Sequence, residues 1–364
     1  MQQLSSNQMD DSFSNYDYTQ QNQLLPGVSR TFALTIPQLP YRLCPVITNA
    51  YLLCRIADTI EDDALLSVVE KTNFEKQFVE VVKGNLEALD FVNQLLPALS
   101  LSTPQKEREL IEKIPLVIRC LESFNPNQQK SLRRCVEIMS TGMARFQRNA
   151  SPLGLTDLQE VNHYCYYVAG VVGEMLTEVF CDFSPKIQKN YQQLMPLAIS
   201  FGQGLQMTNV LKDLWEDRTR GICWYPRENF QKHGIDLSAL ETQHRLVGFE
   251  TGLKELIAIT LGHLENALQY VALIPYEEDG IRRFCSWAIS LAVLTLKKIN
   301  HNPKFESGKE VKISRRQVKA AILSTNFVSN HNFLLKCLFK TVTIGMARDY
   351  QSTTNLFTEW FTYE

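Results

Sequence analysis

The chain has 364 residues, of which 45% are hydrophobic and 21% charged, with a formal net charge of −2. That is an ordinary globular composition, long enough to bury a large core. It excludes the basic excess by which proteins meet nucleic acid, so no nucleic-acid partner is expected.

Residues 1–24 are rich in Gln, Asn, Ser and Asp and poor in aliphatics, a composition that predicts a disordered tail. They lack the basic stretch and apolar run of a signal peptide. After Pro26-Gly27 the character changes. Apolar residues at three- and four-residue spacing predict helices over 43–60, 74–95, 107–122, 128–148, 155–181, 186–215, 237–273 and 280–299. Prolines such as Pro152, Pro185, Pro226, Pro275 and Pro303 fall between these segments, where they end helices. Strand signals are few, so the expected class is all-α. Residues 25–350 read as a single helical domain, with 303–316 as a polar loop and 351–364 as a C-terminal tail.

No stretch reaches the roughly 20 apolar residues of a membrane span. The nearest, 333–346, is interrupted by Lys336 and Lys340. It reads as a core helix, with a peripheral membrane contact as the alternative. Nine scattered cysteines with no Cys-x-x-Cys pair argue for reduced thiols in a cytoplasmic protein, and against a disulfide framework or zinc site.

Two polar stripes interrupt this apolar pattern. Tyr51, Arg55, Asp58 and Asp62 follow one another at spacings that keep them on one face of a helix. Gln206, Asn209, Asp213 and Asp217 do the same. Each stripe ends in two aspartates one turn apart, on a segment whose other residues are strongly apolar. Ionised carboxylates are rarely buried unless paired or metal-bound. A single Asp-x-x-x-Asp is common on solvated helices, where it forms ordinary ion pairs. Two, each preceded by a matching stripe, point instead to divalent cations. Mg²⁺ prefers oxygen ligands and commonly bridges to substrate phosphates. Asn209 and Gln206 add neutral oxygens, and Arg55, Lys212, Arg218 and Arg220 are placed to meet phosphate. The chemistry suggested is metal-assisted departure of diphosphate.

A third segment runs from Tyr164 through Tyr166, Tyr167 and Gly170 to Gly173. Each glycine costs an apolar helix about 1 kcal/mol against alanine, so something approaches the backbone closely. A neighbouring helix and a ligand chain explain this equally well. Gly202-Gln-Gly204 lacks the third glycine and preceding strand of a dinucleotide loop, and reads as a small-residue turn of helix.

Four ordered motifs resemble the squalene/phytoene synthase family, over roughly residues 27–320. They are Ser29-Arg30-Thr-Phe32, the run from Tyr51 to Asp62, the run from Tyr164 to Gly173, and the run from Gln206 to Asp217. Asp58-Thr-Ile-Glu61-Asp62 and the stretch from Phe284 to Arg316 are most similar to the squalene-forming branch. The resemblance implies an isoprenoid-synthase helical fold with a central cavity. It implies that two farnesyl diphosphates join head to head through presqualene diphosphate, followed by reduction with NADPH, giving a sterol or hopanoid precursor. It implies Mg²⁺ held by Asp58, Glu61, Asp62, Asn209, Asp213 and Asp217. Tyr164 matches the family's proton-transfer tyrosine, Phe284 an aromatic that shields carbocations, and Ser29, Arg30, Tyr51 and Arg55 positions near the diphosphates. Lys312 and Arg315 fall where NADPH contacts are expected.

Two positions depart from the family pattern: Lys212 stands where arginine is frequent, and Ile222 replaces the usual arginine beside Gly221. Arg218 or Arg220 is expected to compensate. The alternatives are a non-reductive relative, which stops at dehydrosqualene, a phytoene-type product or presqualene diphosphate, and a non-catalytic lipid-binding relative.

Overall fold

In the computed structural model, residues 4–29 and 31–347 are described, with side chains from residue 16 onward. Among them the chain is helical with no strand, and one isolated bridge joins Leu155 to Pro226. The all-α expectation holds. The chain divides into two compact units, residues 1–148 with 178–185, and residues 149–177 with 186–364.

The first unit is built around helix Cys44–Asp62. Its Leu52, Leu53, Ile56, Ala57 and Ile60 are completely buried, and helices Leu4–Val28, Val68–Lys83, Gln105–Glu112 and Ile114–Glu122 pack against it. The helix expected over 74–95 is two, Val68–Lys83 and Ala88–Ala98. Gly84 breaks them apart with φ 83°, a left-handed cap that glycine adopts without penalty. A Ser67–Glu70 capping box starts the first of the pair.

The expected disordered tail is corrected by helix Leu4–Val28. Its end docks where composition alone showed little reason to. Leu25 and Gln21 are buried. The Gln21 amide donates to Pro45 O at 2.9 Å and accepts from Asn49 Nδ2 at 2.9 Å. Tyr18 stacks on Phe124. These contacts offset the ordering entropy that the polar composition alone could not. The C-terminal tail, 351–364, lies outside the described residues.

The second unit is organised by helices Tyr191–Lys212 and Val247–Leu273, packed along their length. A π-helical turn, Tyr166–Gly170, interrupts the helix expected over 155–181. Helices Asp279–His301, Arg315–Val328 and Asn332–Val342 complete the unit. Among the described residues no helix is long and apolar enough to cross a membrane.

Candidate active site

The first stripe lies on one helix. Tyr51, Arg55, Asp58 and Asp62 occupy the face of Cys44–Asp62 opposite its fully buried aliphatics. Arg55 is held between two carboxylates: Nη2 donates to Glu107 Oε1, and Nη1 lies 3.6 Å from Asp58 Oδ2. Burial pushes the Asp58 carboxyl up, to about 7; Arg55 pulls it down, while Asp62 and Glu107 push it further up. Its side chain remains 31% exposed, and Asp62 is exposed.

Ser29 and Tyr51 come together at the start of this stripe. Ser29 Oγ accepts from Phe32 N at 3.0 Å. The Tyr51 hydroxyl donates to Val28 O at 3.2 Å, and its ring packs 4.9 Å from Phe32. Burial raises the Tyr51 hydroxyl above its ordinary value, against a bond with Ser29. Arg30 lies outside the described residues. Glu61 is 8% exposed and accepts from Gln147 Nε2 at 3.0 Å.

Just beyond Asp62, Asp63 ends the helix. Its carboxylate accepts from Leu65 N at 2.8 Å, Leu66 N at 3.1 Å, Ser100 N at 2.9 Å and Thr103 Oγ1 at 2.6 Å. Burial pushes this group up, but the four donors prevail and hold it below 3.8.

The second stripe is kinked. Gln206 and Asn209 lie on Tyr191–Lys212, which ends as Asp213 turns to φ −95° and ψ 13°; Asp217 follows on Leu214–Thr219. Backbone bonds of 2.8 Å from Asp213 N to Asn209 O and 2.9 Å from Asp217 N to Asp213 O carry the helical register across the joint. Asn209 donates to Gln206 at 3.4 Å. Lys212 Nζ stands 3.0 Å from Asp213 Oδ2, and Arg220 Nη2 is 2.6 Å from Asp217 Oδ1. Burial raises the Asp213 carboxyl, with Lys212 opposing.

Arg218 is engaged by the chain around it. Its guanidinium donates to Glu241, to Leu237 O at 2.8 Å and to Ser238 O and Pro152 O, with 8% of the side chain exposed. It fastens the surrounding loops. Arg220, 38% exposed, places a cation beside the second aspartate pair.

Tyr164 is buried, its ring stacked on Trp224 at 4.2 Å and 12°. The segment after Asp217 brings Trp224 there, tied by Leu155 N to Tyr225 O at 2.9 Å and Arg227 N to Leu155 O at 2.7 Å. The glycines have a clear cause. A Cβ on Gly173 would sit 2.2 Å from Ala198 O, and one on Gly202 would sit 2.1 Å from Ala169 O. They let two helix backbones touch. Phe284 is buried on Asp279–His301, and Lys312 and Arg315 are exposed.

Three neighbours of the site carried no local signal. Glu107 meets Arg55 from 52 residues away, Asp63 acts through tertiary donors, and Trp224 reads as one more apolar residue. Among the described residues no group of three or more His, Cys, Asp or Glu could hold a metal ion. Each stripe offers an aspartate pair, which fits Mg²⁺, since that ion is commonly bound by one or two carboxylates plus waters and substrate phosphates.

The family description "Squalene/phytoene synthase" matches residues 25–317. A squalene synthase from Cyberlindnera jadinii is 30% identical over 308 residues, covering 83% of this chain and 66% of that protein. One from Gibberella zeae is 28% identical over 323 residues, covering 88% of this chain and 66% of that one. The chain therefore spans just under two thirds of the length of these relatives. Among solved structures, TcSQS bound to a ligand aligns with TM-score 0.74 at 20% identity, over 94% of this chain and 96% of that one. A dehydrosqualene synthase aligns with TM-score 0.63 at 17% identity, over 91% of this chain and 99% of the other. These two similarities establish the isoprenoid-synthase fold.

Proposed function

Because the chain belongs to the squalene/phytoene synthase family, we propose that it joins two farnesyl diphosphates head to head through presqualene diphosphate and reduces the product to squalene with NADPH. The observation that carries this reading is the repeated stripe: an aspartate pair on an apolar helix, each with a cation beside it, Arg55 in one and Lys212 with Arg220 in the other. A lipid-binding protein without catalysis has no use for this charge.

Mg²⁺ would be held by Asp58 and Asp62 and by Asp213, Asp217 and Asn209; it supplies charge neutralisation to a departing diphosphate. Arg55, Lys212 and Arg220 bind diphosphate oxygens directly, and Ser29 and Tyr51 position the head group. Tyr164, fixed face to face on Trp224, presents its hydroxyl for the proton transfer of the first condensation. Phe284 offers an aromatic face to the carbocation. Lys312 and Arg315 meet NADPH phosphates; both are exposed, and their surroundings suit a phosphate-rich ligand, because residues 311–347 contain no Asp or Glu.

The same segment supports a peripheral membrane contact for a protein handling farnesyl chains in the cytoplasm. Arg316, Lys319, Leu323 and Phe327 share one exposed stripe of Arg315–Val328, and Phe333, Lys336 and Lys340 share one of Asn332–Val342. Leu335 and Phe339 turn inward, as a core helix requires. Exposed aromatics beside lysines suit an anionic lipid surface.

Single substitutions test the metal assignment. Asp58→Ala and Asp213→Ala should each reduce farnesyl diphosphate turnover by about 10²–10³-fold, as loss of a group that stabilises departing charge does, with the helical circular dichroism unchanged. Turnover surviving in both variants would remove the basis for the reading.

A further inference from the structure

Between the aspartates of the second stripe stand Trp215 and Glu216, which the chemistry above leaves unused. Both reach the connecting segment between helices Asp279–His301 and Arg315–Val328. Trp215 Nε1 donates to Phe305 O at 2.6 Å. The Glu216 carboxylate accepts from Gly308 N, at 3.1 Å to Oε1 and 3.3 Å to Oε2. Gly308 lies so close that a Cβ there would meet Lys212 O at 3.0 Å and both Glu216 carboxylate oxygens at 3.1 Å. The rest of the segment is fastened around these bonds. Phe305 and Val311 are buried, and Glu306 pairs with Arg245 and, at 3.3 Å, with His244. The His244 ring in turn meets Trp215 edge-on at 5.1 Å. Lys298 Nζ holds Lys312 O at 3.0 Å.

We propose that Glu216 and Trp215 are positioning residues: they latch the segment 302–311 onto the turn that carries Asp213 and Asp217, and so set the place of Lys312. One face of that turn carries Asp213 and Asp217, which would hold the metal, and another holds the segment that leads to Lys312 and Arg315. A backbone amide bonded to a carboxylate is among the stronger neutral-to-charged bonds, and a Cβ at Gly308 would crowd both Lys212 O and the Glu216 carboxylate. The latch's effect on reduction rests on the reading proposed above, in which Lys312 and Arg315 meet NADPH.

Limited trypsin digestion and product analysis test the latch together. Lys304 and Lys309 are exposed sites within the docked segment and Lys312 is exposed just after it, and cleavage there reports its opening. Glu216→Ala should speed this cleavage by about 10-fold or more, the effect of losing one charge-assisted bond. Glu216→Gln, which keeps a carbonyl acceptor for Gly308 N, should remain near wild type. Gly308→Ala should reproduce the loosened state from the other side of the contact. In assays with farnesyl diphosphate and Mg²⁺, Glu216→Ala should raise the KM for NADPH several-fold while formation of presqualene diphosphate stays within about twofold, the split expected of a group acting on one half-step. Wild-type cleavage rates in both Glu216→Ala and Gly308→Ala would overturn the latch. Faster cleavage with an unchanged KM for NADPH would overturn its coupling to reduction. If the wild-type protein forms no NADPH-dependent product, the proposed function fails, and the cleavage rates still decide the latch.

Discussion

Substituting Gly173 by alanine should destabilise the second unit, and the size of the effect can be worked from the contact. The added Cβ would sit 2.2 Å from Ala198 O and 2.8 Å from its carbonyl carbon. Relief requires the two helix backbones to separate by about 1 Å, because a main-chain oxygen has no rotamer to escape into. Overpacking of this kind costs typically 1–3 kcal/mol, and a rigid backbone neighbour places it at the upper end. Alanine's better helix propensity returns about 1 kcal/mol. The net loss is about 2 kcal/mol, or roughly 4–8 °C in Tm for a unit of this size. Thermal unfolding followed by circular dichroism measures it, and Gly202→Ala, whose Cβ would lie 2.1 Å from Ala169 O, should behave alike. Had the glycines made room for a ligand chain, Tm would hold or rise while the KM for farnesyl diphosphate increased; that pattern would refute helix packing as their cause.

Asp63→Ala should cost about 2–3 kcal/mol, since four donors lose a charged acceptor; a urea midpoint unchanged from wild type would contradict this. Because Asp63 is held below 3.8, its stabilisation is complete above that pH and is lost as pH falls through the lower folded value, so the variant's deficit should shrink in strong acid. His263 runs the other way from the usual partnered histidine. It is buried, with Nδ1 2.8 Å from Ser200 Oγ, and burial pushes it down to about 4 from 6.5. The unfolded chain therefore binds the extra proton between those values, and stability should fall by up to about 3 kcal/mol as pH drops from 6.5 to 4. His263→Phe should flatten that part of the stability profile, and an unaltered slope would count against the assignment. Glu107→Gln should leave Arg55 less firmly placed beside Asp58 and raise the KM for farnesyl diphosphate several-fold with kcat little changed, as loss of a positioning contact does; a pure kcat effect would contradict that role.

The helices of both stripes were legible because the polar residues stand out against an unbroken apolar period. Leu52, Leu53 and Ile56 fix which face of Cys44–Asp62 is buried, and the stripe follows. Less was legible where a residue's partner is distant in sequence. Arg218 lies beside the second motif like a phosphate ligand, yet Glu241 and three carbonyls claim it. Glu61 sits inside the first motif, yet faces Gln147. The N-terminal helix was hidden by its polar composition, since Gln21 is buried through hydrogen bonds to Pro45 and Asn49. The kink at Asp213 left no mark in the sequence, because the helical spacing of the side chains continues across it.

The most direct test is product analysis after incubating the protein with farnesyl diphosphate and Mg²⁺, with and without NADPH. The account predicts presqualene diphosphate without NADPH and squalene with it. A product spectrum indifferent to NADPH would contradict the reductive step, and no condensation product under either condition would contradict the account as a whole.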